Sequence, residues 1–169
     1  SGSSSGLFRN GTYDDTTPKF AITHALNDDV NIYASYTQGF RSGSFDARAR
    51  TIDSFLNSQP GPEEVTSIEL GLKSTLNDGR VMFNIAVFQA DYDDIQKLAL
   101  EDCVVDTTTC PSGRIQRLIN AAEATIEGIE IETRINITDQ FIIEGSLGYT
   151  DASFDKFEGF DADGVPGYD

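Results

Sequence analysis

The sequence of 169 residues has no tryptophan, one methionine and one histidine. The histidine, His24, has neither further metal ligands nor a nucleophile at an informative spacing. No apolar run reaches the roughly 18 to 20 residues that a membrane-spanning helix needs, and no glycine-rich phosphate loop opens a helix. These absences exclude a helical membrane protein. They also leave no catalytic constellation, so we expect no enzyme, cofactor or metal site.

Basic residues are scarce as well. The 12 Lys and Arg residues stand against 28 Asp and Glu residues, which gives a formal net charge of −16 and a pI near 4.2. A polyanion would be repelled by such a chain, so nucleic acid is excluded as a partner. The adjacent acidic pairs, Glu63-Glu64 and Asp93-Asp94, point to opposite sides of an extended chain and therefore cannot act as an acid and base pair.

The two cysteines, Cys103 and Cys110, lie in a polar, threonine-rich stretch. A close pair of this kind is typical of a small disulfide-closed loop in an oxidising compartment. The alternative, half of a metal site, would need two further ligands. We predict a disulfide between Cys103 and Cys110.

The two ends of the chain differ in composition from the rest. Residues 1–6 read as a flexible linker or an expression remnant, and we leave them out of the fold. The stretch Asp161-Ala-Asp163-Gly164 resembles the start of a calcium loop but has no glutamate at the required distance. We expect a solvated acidic loop there, with calcium binding as the open alternative.

Alternation of apolar and polar residues is the strongest pattern in the chain, and it predicts β-strands. Between residues 125 and 137, isoleucines alternate with charged residues. Five other segments repeat the pattern with varying clarity: 18–26, 30–38, 66–76, 80–92 and 141–150. The sequence therefore predicts an all-β fold of about six antiparallel strands.

The lengths of these segments and of their connections indicate the kind of sheet. The segments run about 9 to 14 residues, longer than the usual 5 or 6 of globular sheets and long enough for tilted transmembrane strands. Tight turns are expected at 27–29, 77–79 and 138–139, whereas 39–63 and 93–123 read as long polar loops. Alternating short and long connections are typical of an antiparallel transmembrane β-barrel. A soluble β-sandwich, acting in binding or adhesion, is the alternative.

The barrel and the sandwich predict opposite environments for the apolar side of the alternating strands. In a barrel the apolar residues face outward, and these are Ile68, Leu70, Leu72, Ile129, Ile131, Ile135, Phe141, Ile143 and Leu147. The charged residues then face the lumen, and these are Glu69, Lys73, Glu130, Glu132, Arg134 and Glu144. In a sandwich the apolar face would instead be buried beneath a second sheet.

Several strings carry a resemblance to a known family. The segment 33–43, Tyr-Ala-Ser-Tyr-Thr-Gln-Gly-Phe-Arg-Ser-Gly, resembles a strand-to-loop segment of TonB-dependent outer-membrane receptors. Four further strings follow in that family's order: Pro62-Glu63, Glu69-Leu-Gly-Leu-Lys-Ser74, Phe88-Gln-Ala-Asp-Tyr-Asp-Asp-Ile-Gln96 and Asn120-Ala-Ala-Glu-Ala-Thr-Ile-Glu-Gly-Ile-Glu130. The resemblance covers roughly residues 17 to 155.

This resemblance implies a fold, a function and a cellular location. Such receptors are 22-stranded barrels with a plugged lumen, so residues 7–169 are expected to be an interior part that lacks the plug, the first strands and the final strand. The implied function is ligand-gated import of a scarce nutrient, such as an iron–siderophore complex, across a Gram-negative outer membrane. The implied partners are membrane lipid, TonB acting through the absent plug, and a small-molecule ligand such as a ferric chelate.

Within this reading, the loop after the second strand holds the candidate ligand-binding residues Phe40, Arg41 and Phe45. Arg41 would meet an anionic ligand, or would pair with Glu63 or Glu64.

Aromatic and glycine residues carry two further expectations. Tyr33 and Tyr36 are expected in an aromatic girdle at the membrane interface, with cross-strand aromatic packing as the alternative. Gly71 and Gly128 fall on the lumen side, where packing or the close approach of another segment needs a small residue.

Overall fold

The computed structural model describes residues 10–46, 58–102, 105 and 113–157. They form a six-stranded antiparallel sheet in which each strand pairs with its neighbours in sequence. The strands are β1 (Lys19–Ala25), β2 (Val30–Arg41), β3 (Glu63–Leu76), β4 (Val81–Asp102), β5 (Arg114–Thr138) and β6 (Phe141–Phe157). The all-β, antiparallel prediction is confirmed. None of the described residues belongs to an apolar helix long enough to cross a membrane.

The short turns lie where the sequence predicts them. Between β3 and β4, Asn77, Asp78 and Gly79 have φ values of 55°, 54° and 83°, a conformation that Asn, Asp and Gly tolerate best. The N–H of Arg80 closes this turn on the carbonyl of Asn77 at 3.1 Å. Between β5 and β6, the hydroxyl oxygen of Thr138 accepts hydrogen bonds from the N–H groups of Gln140 at 3.2 Å and Phe141 at 3.0 Å. Local turn chemistry therefore fixes both hairpins.

The predicted long loop over residues 93–123 is wrong, because β4 continues to Asp102 and β5 begins at Arg114. The pairing of β4 with β5 is interrupted by a register shift between Tyr92 and Ile95. Asp94, at the shift, has a φ of 55°. A bulge of this kind changes which side chains share a face. The alternation stops there although the strand does not.

The other predicted long connection is confirmed at its ends, since β2 stops at Arg41 and β3 starts at Glu63. Residues 47–57, in the middle of this connection, lie outside the described residues. So do Cys103 and Cys110 of the predicted disulfide, the acidic stretch from Asp161 to Gly164 and the predicted linker at residues 1–6.

The register gives the sheet two chemically different faces. One register row crosses all six strands: Ile22, Ala34, Leu70, Val87, Ile129 and Tyr149. The neighbouring row carries Thr23, Tyr33, Gly71, Ala86, Glu130 and Gly148. Since adjacent residues of a strand point to opposite sides, the first row belongs to an apolar face and the second to a polar face. The predicted division of the charged and apolar residues is confirmed.

The apolar face is not covered by any other described part of the chain. Leu70 is 52% exposed, Ile143 47% and Leu147 68%, and Ile131 is half-buried. The sandwich alternative requires these side chains to lie in a closed core, which the described residues do not form around them, so the structure does not favour it. The buried apolar residues of the described chain are Ala99, Ile115, Ala121 and Ala122. All four belong to the extended ends of β4 and β5.

Two aromatic rings on the polar face lie across glycines of the adjacent strand. A Cβ atom at Gly71 would overlap the ring of Tyr33, and one at Gly128 would lie 2.7 Å from the ring of Phe88. The hydroxyl of Tyr33 donates a hydrogen bond of 2.6 Å to Glu69. Both glycines therefore serve packing within the sheet. Packing is one of the two roles expected for them.

This packing corrects the prediction for one of the two tyrosines. Tyr33 is on the polar face, paired with Gly71, so it cannot join a girdle at the lipid interface. Tyr36 is on the apolar face, with its ring centroid 6.4 Å from that of Phe20. The tyrosines lie three positions apart on one strand, and an odd spacing puts them on opposite faces.

We predict that Gly71→Ala destabilises the protein by about 1–3 kcal/mol, because the added methyl group displaces the Tyr33 ring and its hydrogen bond to Glu69. Urea unfolding in detergent micelles measures the change. Gly148→Ala is the matched control, since this glycine is on the same face and a Cβ there meets nothing within 4 Å. In a Tyr33→Ala background the cost of Gly71→Ala should disappear. A cost that persists there would contradict the explanation.

Candidate functional site

The β2–β3 connection packs against the extended ends of β4 and β5, and we call residues 42–46 and 58–62 of it the docked loop. Gln96 of β4 is 7% exposed. Its side-chain nitrogen donates to the carbonyls of Ser42 at 2.9 Å and Gly61 at 3.2 Å, and its oxygen accepts from the hydroxyl of Ser44 at 2.9 Å. One buried amide therefore joins both ends of the loop to the sheet.

Asn120 of β5 is the register partner of Gln96 and binds the same loop. Its side-chain oxygen accepts from the N–H of Gly61 at 2.6 Å. Its side-chain nitrogen donates to the carbonyls of Gly61 and Pro62, both at 3.3 Å, and to that of Asp94 at 2.5 Å. The two amides thus satisfy backbone groups that lack a strand partner, at the loop and at the bulge.

Further contacts complete the docked loop. Ser58 is fully buried, and its hydroxyl oxygen accepts from the N–H of Leu118 at 3.3 Å. The side chain of Gln59 donates to the hydroxyl of Tyr13 at 3.2 Å, which connects the segment before β1. A Cβ atom at Gly43 would lie 2.6 Å from the carbonyl oxygen of Pro60, so only glycine fits there without a shift. The loop is therefore held from several sides.

Arg41, a predicted ligand-binding residue, is placed by an ion pair. Its guanidinium lies 3.6 Å from the carboxylate of Glu63, which confirms one of the two pairings expected for it. Glu63 also accepts a hydrogen bond of 3.0 Å from the N–H of Gln96. The side chain of Arg41 is 67% exposed, so the pair contributes only about 0–1 kcal/mol to stability. A role for Arg41 toward a ligand stays a prediction.

The other two predicted ligand-binding residues lie on the apolar face and in the docked loop. Phe40 precedes Arg41 on β2 and therefore points to the apolar face, where it is 37% exposed. Phe45 lies in the docked loop near Gly11, at which a Cβ atom would be 3.5 Å from its ring. Their binding roles also stay predictions.

Gln96 and Asn120 had no predicted role. A signal for them exists, because each interrupts an apolar run: Ile95-Gln-Lys-Leu-Ala-Leu100 and Leu118-Ile-Asn-Ala-Ala122. A polar amide in such a run needs buried partners. Its partners here come from the distant β2–β3 connection, so the sequence alone does not reveal them.

We predict that Asn120→Ala releases the docked loop, because the N–H of Gly61 loses its acceptor and the carbonyls of Pro62 and Asp94 lose their donor. Unsatisfied groups of this kind cost about 1–3 kcal/mol, so hydrogen exchange at the Gly61 amide should accelerate about tenfold or more. Asn84→Ala is the control, since its amide makes one exposed contact of 3.4 Å with Glu132. Unchanged exchange at Gly61 in Asn120→Ala would refute the clamp.

Comparison with known proteins identifies the family. The family model described as TonB dependent receptor-like, beta-barrel matches residues 2–168. The metal-pseudopaline receptor CntO of Pseudomonas aeruginosa (strain UCBPP-PA14) is 25% identical over 158 residues, covering 90% of this chain and 20% of the receptor. The chain thus spans about a fifth of the length of this curated relative.

Solved structures show the same fold. The alcaligin outer-membrane receptor FauA of Bordetella pertussis aligns with a TM-score of 0.54 at 26% identity, over 89% of this chain and 23% of that receptor. The ferripyoverdine receptor of Pseudomonas aeruginosa aligns with a TM-score of 0.59 at 23% identity, over 82% of this chain and 17% of that receptor. With a family match that spans almost every residue, this chain belongs to the TonB-dependent receptor-like β-barrel family.

Proposed function

We propose that the chain is part of a ligand-gated importer that takes up a scarce nutrient, such as an iron–siderophore complex, across a Gram-negative outer membrane. The observation that carries this proposal is the family match over residues 2–168. The names of the relatives, receptors for metal-pseudopaline and for alcaligin, support a metal chelate as the ligand. Energy would reach such a receptor through TonB acting on a plug domain.

We also propose that residues 7–169 form an interior portion of the barrel wall. Among the described strands, β1 and β6 each pair on one side only. Exposed strand edges promote unwanted pairing unless another strand covers them. Further strands of the same receptor, on either side of this chain, would close the barrel, and the plug would occupy the lumen.

The apolar face is proposed to contact lipid. A midplane Arg or Lys on the lipid side would cost about 2–4 kcal/mol. The cations Lys73 and Arg134 lie toward the β3–β4 and β5–β6 turns on the opposite, polar face. Glu130 lies on the same face. There Arg134 pairs with Glu144 at 2.9 Å, an arrangement suited to a wet lumen.

The apolar band runs diagonally across the strands. In one register row, β2 and β3 carry Tyr36 and Ile68, whereas β5 and β6 carry Glu127 and Asp151. On β6 the band instead extends toward the turn, to the exposed Phe141. Strands of a barrel tilt relative to its axis, so a band parallel to the membrane must cross the register rows obliquely. The diagonal therefore supports the assignment to lipid.

The alternative, a soluble all-β binding or adhesion module, is disfavoured by the same face. Phe20, Ile22 and Leu147 are 67%, 70% and 68% exposed, and they belong to one continuous surface. Soluble proteins rarely expose contiguous apolar patches of this extent. We retain the importer as the proposed function.

Adjacent residues of β6 offer a direct test of the lipid assignment. Nitroxide labels placed by Leu147→Cys and Gly148→Cys in the receptor that carries this chain should report opposite environments, since position 147 is on the apolar face and 148 on the polar face. We expect the label at 147 to be accessible to oxygen dissolved in lipid. The label at 148 should be accessible to a water-soluble nickel chelate. Equal access of the nickel chelate to both positions would exclude lipid contact at Leu147.

Import itself is tested with radiolabelled iron. Cells with the receptor should accumulate ⁵⁵Fe presented as a ferric siderophore, and either a protonophore or loss of TonB should abolish the accumulation. A receptor with Gly148→Ala, a substitution that meets no neighbouring atom, should behave like the parent. If a panel of catecholate, hydroxamate and opine-type metal chelates gives no energy-dependent accumulation, the importer proposal fails.

A further inference from the structure

An apolar pocket lies on the polar face near the docked loop, and we call it the mouth pocket. Its cavity has a volume of about 290 Å³. The apolar side chains that line it come from β4, β5 and β6, and they are Tyr92, Ile95, Ala124, Ile126, Ala152 and Phe154. Most of them are cross-strand neighbours, because Tyr92 pairs with Ala124 and Ala124 with Phe154. The register therefore builds the pocket.

The mouth pocket is unlike the remainder of the polar face. Toward the turns this face carries the charged residues Glu69, Lys73, Glu130, Glu132, Arg134 and Glu144. In the pocket, by contrast, Phe154 leaves 57% of its surface exposed. A concave apolar surface with a few polar groups at its rim is the usual form of a small-molecule site. The change from charged to apolar residues makes this pocket a candidate small-molecule site.

Two charged residues, Lys97 and Glu63, lie at the rim of the mouth pocket, and only Lys97 lacks an ion-pair partner among the described residues. The ammonium of Lys97 lies 5.4 Å from the ring centroid of Phe154, and it forms no ion pair within the described part of the chain. Glu63, also at the rim, already contacts Arg41 and the N–H of Gln96. A ligand at this pocket therefore meets a free cation beside an exposed aromatic ring.

We propose that the mouth pocket binds an aromatic ring of an anionic ligand, with the ring against Phe154 and Ile126 and the negative charge beside Lys97. A catechol or aryl carboxylate group has this chemistry. The volume is at the lower limit of ligand pockets, so it accommodates one ring-bearing arm of a larger chelate. This inference rests on the proposed import function and names the class of ligand for it.

Binding of two iron complexes to the purified receptor tests the proposal. The aromatic, anionic probe is ferric tris(2,3-dihydroxybenzoate), and the aliphatic, uncharged probe is ferrichrome. Lys97→Gln and Phe154→Leu should each weaken binding of the aromatic probe tenfold or more. The matched control is Lys73→Gln, because Lys73 lies 5.3 Å from the ring of Tyr33, on the same face but outside the pocket. It should change the affinity less than twofold.

Other results overturn the proposal. If Lys97→Gln and Lys73→Gln weaken binding of the aromatic probe equally, the proposal is wrong. It is also wrong if the receptor binds only ferrichrome or neither complex. Ferrichrome binding alone would leave the importer proposal intact, and the energised uptake of other chelates decides that proposal separately.

Accessibility of the pocket supplies a second readout. Ala152→Cys should react on intact cells with a membrane-impermeant maleimide, and ferric tris(2,3-dihydroxybenzoate) should protect it, with the parent receptor as the blank. If the cysteine does not react in a receptor that is folded, another segment of the receptor covers the pocket and the proposal is wrong.

Discussion

The alternation of side chains along a β-strand determines nearly everything else in this structure. Once the register is set, each residue is committed to the apolar or the polar face. A shift by one residue would bring Glu130 and Arg134 to the side proposed to face lipid, where a charged side chain is destabilising to a degree that depends on its depth. The pairs of Tyr33 with Gly71 and of Phe88 with Gly128 reinforce the same register, because only glycine leaves room for the neighbouring ring.

The candidate site begins where this regularity is interrupted. The bulge around Asp94 frees backbone groups that a regular ladder would pair. The amide of Asn120 binds one of them, the carbonyl of Asp94, and at the same time binds the docked loop. The irregular backbone and the loop are therefore held by one side chain. Bulges often occur beside functional sites because they redirect side chains. Here the redirected residues include Gln96, which bonds the loop, and Lys97, which borders the mouth pocket.

The sequence predicts the strands, turns and faces because each depends on residues close together in the chain. The Asn77-Asp78-Gly79 turn and the alternation of β5 are examples. What it does not predict correctly depends either on an odd spacing or a bulge within one strand, or on contacts between distant segments. The girdle position expected for Tyr33 is wrong because Tyr33 is three residues from Tyr36 and therefore lies on the polar face, where it bonds Glu69. The long loop expected at 93–123 is wrong because a period-two pattern cannot be followed through a bulge. The amide clamp and the mouth pocket likewise combine segments that only the register brings together.

The described residues form a sheet with no closed core over its apolar face. Such a sheet distributes its stability differently from a globular domain. Truncating a core leucine leaves a cavity, and the cavity adds to the cost of the lost apolar contact. On the exposed apolar face, a truncated Leu70 or Leu147 would leave no such cavity if lipid chains filled the space, so only the transfer cost would remain. The close packing is instead at the extended ends of β4 and β5, where Ala121 and Ala122 are each 3% exposed. Close packing is thus concentrated beside the docked loop and the mouth pocket, where the proposed ligand site would need a fixed shape.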